Sequence, residues 1–319
     1  SGCGENDKDK ITIDMSGNKP TSGTVTISNG EVSSTDTTMT VGDYDVKYNQ
    51  GKNKYEASEK GNTTSDTPQP TKIYTNGEVV YFNVDNGTKC TSSEAVSATG
   101  TKSGCMKFYA FNDDGKNTVN LILDHNTTAL VAWNNTYTDD SGSKINAKGP
   151  KEVLTQLNDD TKSWVGTITP SNYTMDQTGQ TSNAKYTIDY SGYKARLITA
   201  QEIAQITGNT GWDEKLAASN WYYFDSKSTT ASDTCKEGNT TGCKYGWLYD
   251  RTSIDCTTWG CLNNSDQEIY GYWTSTPYVS SSSNAWNVYC GGRLSILYVD
   301  ADRTYGVRPV ITVLKSKLS

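Results

Sequence analysis

The 319-residue sequence holds one histidine and five arginines, and it has no apolar run long enough to cross a bilayer. Each shortage excludes something. A nucleophilic triad needs a base, and His125 is the only imidazole; it follows Asp124 at the end of an apolar run, where a structural hydrogen bond is the expected role. No HExxH, no glycine-rich phosphate loop and no GxSxG occurs. Acidic residues outnumber basic ones 36 to 29, giving a net charge of -7 and a pI near 4.9. That balance disfavours nucleic acid and anionic membrane surfaces, which demand clustered cations. The sequence begins at Ser1 without an initiator methionine, so a segment removed from the N-terminus is expected.

A second shortage is local. From Asn287 to Val313 there is no Lys, Glu, Gln, Met or Trp, although these five types make up 55 of the 319 residues. A 27-residue window would ordinarily hold roughly four to five of them. The same five types cannot be reached when an Asn codon ending in a pyrimidine has its two adenines replaced by other bases, so the window reads as diversified by an adenine-specific mechanism. Within it and at its edge, Trp286, Val288, Gly292, Leu294, Val299 and the run Gly306, Val307, Arg308, Pro309, Val310 read as a fixed scaffold. Between them lie Tyr289, Cys290, Gly291, Arg293, Ser295, Ile296, Leu297 and Tyr298, then Asp300, Ala301, Asp302, Arg303 and Thr304. These residues lack the strict alternation of a half-buried strand.

What is abundant is polar and aromatic. Mean hydropathy is -0.68, yet 21 Tyr and 8 Trp supply burial that the aliphatic count misses. Eight cysteines at short local spacings point to an oxidising compartment. Cys90 with Cys105, Cys235 with Cys243, and Cys256 with Cys261 are the expected disulfides; Cys3 and Cys290 remain. The spacings do not resemble zinc sites, and no metal or other cofactor is expected.

Residues 11–56 read as short strands with turn punctuation at Asn29-Gly30, a small antiparallel sheet assigned to residues 1–60. GNTTSDTPQP, 61–70, reads as a linker. In residues 71–319 two helices stand out: KEVLTQL after Pro150, with Val153, Leu154 and Leu157 as its stripe and Asn158 as its end, and a second opened by a capping box of Thr199 with Glu202 and stopped at Gly208. Strand-like runs include EVVYFNV, CMKFYAF, TVNLILD, ALVAWN, KARLIT, YGWLYD, GYWTST and GVRPVITVL, so the fold class is α+β. Polar insertions at 134–149, 171–184 and 225–244 are expected surface loops.

The segments GYWTSTP (271–277), NAW (284–286) and YGVRPVITVLKSK (305–317), with SGCMKFYAFNDD, VNLILDHNTTALVAWN and YKARLITAQEIAQITG upstream, resemble the C-type-lectin-fold variable proteins of diversity-generating retroelements in gut Firmicutes. The resemblance implies a C-type lectin fold of the formylglycine-generating-enzyme-like subclass behind the small β domain, with a variable region at 287–305. It implies a ligand-contacting face on Asn287 and on the interspersed residues from Tyr289 to Thr304. Tyr289, Tyr298, Tyr305, Arg293 and Arg303 are the expected energetic anchors. Relatives that are enzymes carry their reactive cysteines in the C-terminal part; Cys256 and Cys261 precede GYWTSTP, so no enzyme is expected. Sugar-binding relatives hold calcium through Glu-Pro-Asn and Trp-Asn-Asp, and neither triplet occurs.

Residues 11–32 with VGDYDVKY resemble the globular end of type IV pilin-like proteins, which implies contact with other pilins through a removed N-terminal helix. Ser1-Gly2-Cys3 offers lipid anchoring at Cys3 instead. Both readings place the protein outside the cell, on its surface or on a pilus. The expected function is adhesion: non-covalent binding of a protein or glycan on another cell, a phage or a host surface. A calcium-dependent lectin and a purely structural minor pilin are the alternatives.

Overall fold

A computed structural model of the protein describes residues 72–95, 104–128, 130–135, 146–176, 185–231, 235, 241–249, 271–300 and 305–319; of 27–28, 31–32, 39–41, 44–49, 54–59, 176 and 185 it describes the backbone alone. The chain divides into two units, Ser1–Pro68 and Gln69–Ser319. Cys3, Cys256, Cys261 and residues 301–304 lie outside the described residues.

The first unit is one antiparallel sheet of β1 (Ile27–Ser28), β2 (Glu31–Val32), β3 (Met39–Val41), β4 (Tyr44–Asn49) and β5 (Lys54–Glu59), in the order β1-β2-β5-β4-β3. Ser28 pairs with Glu31 and Val41 with Tyr44; Asn29-Gly30, the expected turn, lies outside the described residues.

In the second unit β6 (Val79–Asn83), β7 (Thr88–Lys89), β8 (Cys105–Phe111) and β9 (Thr118–Leu123) come first. They are followed by α1 (Glu152–Thr161), β10 (Tyr173–Asp176), β11 (Lys185–Ile188), α2 (Ala200–Ile206), β12 (Tyr222–Tyr223) and α3 (Gly246–Tyr249). Then come β13 (Gly271–Pro277), β14 (Asn284–Tyr289), β15 (Arg293–Tyr298), β16 (Tyr305–Gly306) and β17 (Val310–Leu314). This is a mixed α+β architecture, mostly sheet. The last strand returns to the first sheet, ordered β17-β9-β8-β6-β7; the second is ordered β12-β15-β14-β13-β16, and β10 pairs with β11 alone. Disulfides join Cys90 to Cys105 and Cys235 to Cys243, as their spacings predict and as an oxidising, extracellular environment allows. Among the described residues no helix is long and apolar enough to cross a membrane.

The capping box forms as the sequence predicts: Thr199 accepts from the Glu202 amide while the Glu202 carboxylate accepts from the Thr199 amide, and Gly208 follows the helix at φ 72°. The first helix outruns its expected end at Asn158 by three residues. Its last turn is held from outside, because Asp160 accepts from Thr127 and Thr128, and from within by the Gln156 amide one turn earlier. Three strand-like runs are not strands. YGWLYD contains the short helix α3, KARLIT contributes a single bridge at Arg196, and the described part of ALVAWN is irregular around a buried Trp133 whose indole donates to Thr274 O at 2.9 Å. Of the expected surface loops, 171–184 contributes strand β10, and Asn146 and Ala147 are buried.

The second sheet has apolar cover on both faces. Trp286, Val288, Leu294 and Tyr272 join Ile203, Phe224, Leu248 and Tyr249 in one core. Trp273 and Ala285, on the opposite face, join Trp133, Tyr186 and Tyr305 in the other. Two covered faces explain why β14 lacks a simple alternation.

Candidate functional site

The hairpin of β14 and β15 carries the centre of the compositional window. Its strands pair from Asn284 with Tyr298 to Tyr289 with Arg293, leaving Cys290, Gly291 and Gly292 as the turn. Gly292 has φ 85° and donates to Tyr289 O at 2.9 Å; a Cβ there would also press on the Tyr249 ring at 3.1 Å. Glycine is required on both counts.

All ten residues read as scaffold are buried: Trp286, Val288, Gly292, Leu294, Val299 and the run Gly306 to Val310. Trp286 packs its ring edge-on to Trp212 and Tyr278, with centroids 5.0 and 5.2 Å away. Arg308 is fully buried at the joint between the two sheets. It donates to Leu123 O at 2.6 Å, Trp247 O at 2.8 Å, Leu248 O at 3.0 Å and Asp124 O at 3.3 Å, and its guanidinium lies 5.1 Å from the Tyr272 ring centroid. Four carbonyl oxygens thus solvate a cation that has no carboxylate partner among the described residues.

The interspersed residues divide. Tyr298 and Asp300 are exposed, and Tyr289, Cys290, Gly291, Arg293, Ile296 and Leu297 are half-buried. Asn287 and Ser295 depart from the expectation that intervening side chains face solvent. They sit opposite each other in mid-hairpin, where the sheet is covered on both sides, and are 0% and 5% exposed. Among the described residues neither amide atom of Asn287 has a hydrogen-bond partner. Tyr305 is likewise buried rather than presented, its ring 5.3 Å from that of Trp273; burial pushes its hydroxyl up to about 12 although the Arg293 charge opposes this. Ala301, Asp302, Arg303 and Thr304 lie outside the described residues.

Strand β12 brings in residues that the window does not contain. Tyr223 pairs with Arg293, and the Arg293 guanidinium lies 4.7 Å from the Tyr289 ring centroid, 4.8 Å from Trp221 and 5.7 Å from Tyr223. Three aromatic faces around one guanidinium hold it in place through the ring quadrupoles. Trp221 and Tyr223 belong to NWYYF (220–224), whose aromatic density was the one signal that could have marked them.

Two other polar centres are internal. His125 is buried with Nδ1 3.7 Å from the Asp124 carboxylate, and among the described residues neither ring nitrogen has a hydrogen-bond partner, so the expected structural hydrogen bond is not found; Asp124 accepts instead from the Tyr109 hydroxyl at 2.7 Å. Burial would raise the Asp124 carboxyl, but His125, Lys107 and Tyr109 hold it below the usual range. A cleft of about 380 Å³ is bordered by Tyr173, Tyr190, Arg196 and Glu202. Arg196 and Glu202 satisfy each other there through two hydrogen bonds of 2.7 and 2.8 Å. Comparison with protein-family models, with curated proteins and with solved structures gives no match.

Proposed function

We propose that the protein is a surface-displayed binding protein: a head of C-type lectin fold, carried by a pilin-like or lipid-anchored N-terminal unit, that contacts its ligand through a diversified C-terminal hairpin. The observation that carries this reading is the segregation within one window. Trp286, Val288, Leu294 and Val299 are at most 1% exposed, while Tyr289, Arg293, Ile296, Leu297, Tyr298 and Asp300 between and beside them keep surface. Substitution at the exposed Tyr298 and Asp300 costs little stability, while Tyr289, Ile296 and Leu297 also rest against the core and keep only part of their surface free. Tyr and Arg suit such a surface: Tyr offers large contact area from two side-chain torsions, and Arg offers a planar fork of hydrogen-bond donors. Asn287 supports the adenine-directed part. Packing alone does not favour a buried amide with no partner, and asparagine is the residue such a mechanism starts from.

The test is the DNA around the gene. A near-copy of the segment encoding 287–305, differing where the copy has adenine and lying beside a reverse-transcriptase gene, is the expected finding. Sister loci identical through this segment, with no such copy, would defeat the diversification reading.

A further inference from the structure

We propose that Arg293, walled by Trp221, Tyr223 and Tyr289, is the anchor for a carboxylate on an acidic, partly apolar segment of a protein partner; this rests on reading the hairpin as a binding surface. Its guanidinium is positioned but not neutralised. The ion pairs among the described residues join Lys72 to Glu78, Lys107 to Asp124, Lys162 to Asp159, Arg196 to Glu202 and Lys315 to Asp113; none reaches Arg293. Among the described residues its Nε is buried without a hydrogen-bond partner, whereas the other two described arginines have their forks engaged: Arg196 with Glu202, Arg308 with four carbonyls. A guanidinium held among rings with its fork unused is pre-organised to receive a planar carboxylate.

Trp221 serves two surfaces at once. Beside its contact with Arg293 it walls a groove of about 270 Å³ bordered also by Trp212, Leu216, Asn220 and Lys227, with no Asp or Glu in the lining. Leu216 is 52% exposed there. Lys227 stands in the turn after β12 at φ 55°, fixed by bonds from its amide to Tyr223 O and from the Tyr223 amide to Ser228 O, both 2.8 Å. In a chain of net charge -7, a groove with one lysine, no acid and an unpaired arginine at its wall is a local positive site. Charge complementarity therefore selects an acidic ligand. The residue types select a protein: Trp, Tyr and Arg are enriched where protein interfaces carry their energy, Lys and Glu are depleted there, and the window has neither. An apolar side chain next to the carboxylate would enter the groove beside Leu216 and Trp212.

The experiment is to pan a phage-displayed random-peptide library against the full chain, with immobilised polygalacturonate and heparin as parallel arms. Enriched peptides should share an Asp or Glu adjacent to an apolar residue. A synthetic peptide of that consensus should lose at least tenfold in affinity to Arg293→Gln and about threefold to Lys227→Gln, and should bind more weakly as salt rises. Lys227 is exposed, so the second variant decides the matter if the first does not fold. Acid-free consensus peptides, acidic peptides indifferent to both variants, binding confined to polygalacturonate or heparin, or no enrichment would each overturn the proposal. Peptides lost to Tyr298→Ala but not to Arg293→Gln would overturn it while leaving the hairpin a binding surface, and the locus comparison judges diversification separately.

Discussion

Arg308 and Arg293 stand fifteen residues apart in the same compositionally biased stretch, and they do opposite things. Arg308 is sealed where β16 passes into β17, its fork spent on four backbone carbonyls that belong to the end of β9 and to α3. Arg293 is half-buried at the head of β15, stacked on three rings with its Nε unpartnered. Composition cannot separate these roles, because both are arginines near glycine and tyrosine. Register separates them: one lies at a crossing between sheets, the other at the end of a hairpin beside a groove. A stretch of chain can therefore be frame and contact surface at once when frame residues recur between contact residues.

The comparison breaks most visibly if the frame proves dispensable. Trp286→Ala removes a ring packed against Trp212 and Tyr278 at 1% exposure, and among the described residues its indole N–H has no partner to lose, so the cost is one of packing. The expected loss is roughly 3–5 kcal/mol. For a unit of this size that lowers the melting temperature by about 2–4 °C per kcal/mol. An unchanged melt would remove Trp286 from the core.

Next in size is Arg308→Lys. Charge is conserved, but a single ammonium cannot reach four carbonyls spread over two segments, so at least one buried acceptor is orphaned and the expected loss is about 2–3 kcal/mol. Denaturant titration of the two proteins measures it. A midpoint shift smaller than that of an ordinary surface substitution would mean the fork is not what joins the sheets.

Much of this frame was legible in the sequence. The capping box at Thr199 follows from cap geometry, the two described disulfides join cysteines close in sequence, and the apolar scaffold residues Trp286, Val288, Leu294 and Val299 are buried as read. What escaped were features set by distant partners. Asn287 and Ser295 are covered because the sheet has cores on both faces, which no period along β14 reveals. The YGWLYD run forms α3 although its apolar and aromatic residues read equally well as strand. Trp221 and Tyr223 lie about seventy residues before Arg293, and only the β12–β15 pairing brings them together. The candidate site is thus half readable: the hairpin side was visible, the aromatic wall was not.

Asn287→Val sharpens the boundary between the two sets. Among the described residues the buried amide has no partner for either polar atom, and replacing it with an apolar, strand-favouring side chain closer to it in volume than leucine removes that desolvation cost. Stability should rise by about 1 kcal/mol, seen as a higher melting temperature. A fall would show that the amide is satisfied in solution and that the mid-hairpin belongs to the frame by design.

The smallest effect carries the most discrimination. Arg293→Lys is the same substitution as at Arg308, in the same stretch of chain, yet the environment differs in every relevant respect. Among the described residues no carbonyl accepts from the guanidinium and no ion pair is lost, and a lysine stem can still lie along Trp221 and Tyr289 with its ammonium near the rings. Cation–π attraction survives the exchange in part and is worth only about 0.5–1 kcal/mol at accessible sites. The expected change in stability is therefore within about 0.5 kcal/mol. Thermal melts of the two lysine variants side by side give the contrast directly: a clear drop for Arg308→Lys and none for Arg293→Lys. Equal drops would place Arg293 in the frame, and the hairpin would then lack the one cation that distinguishes it as a surface for an acidic partner.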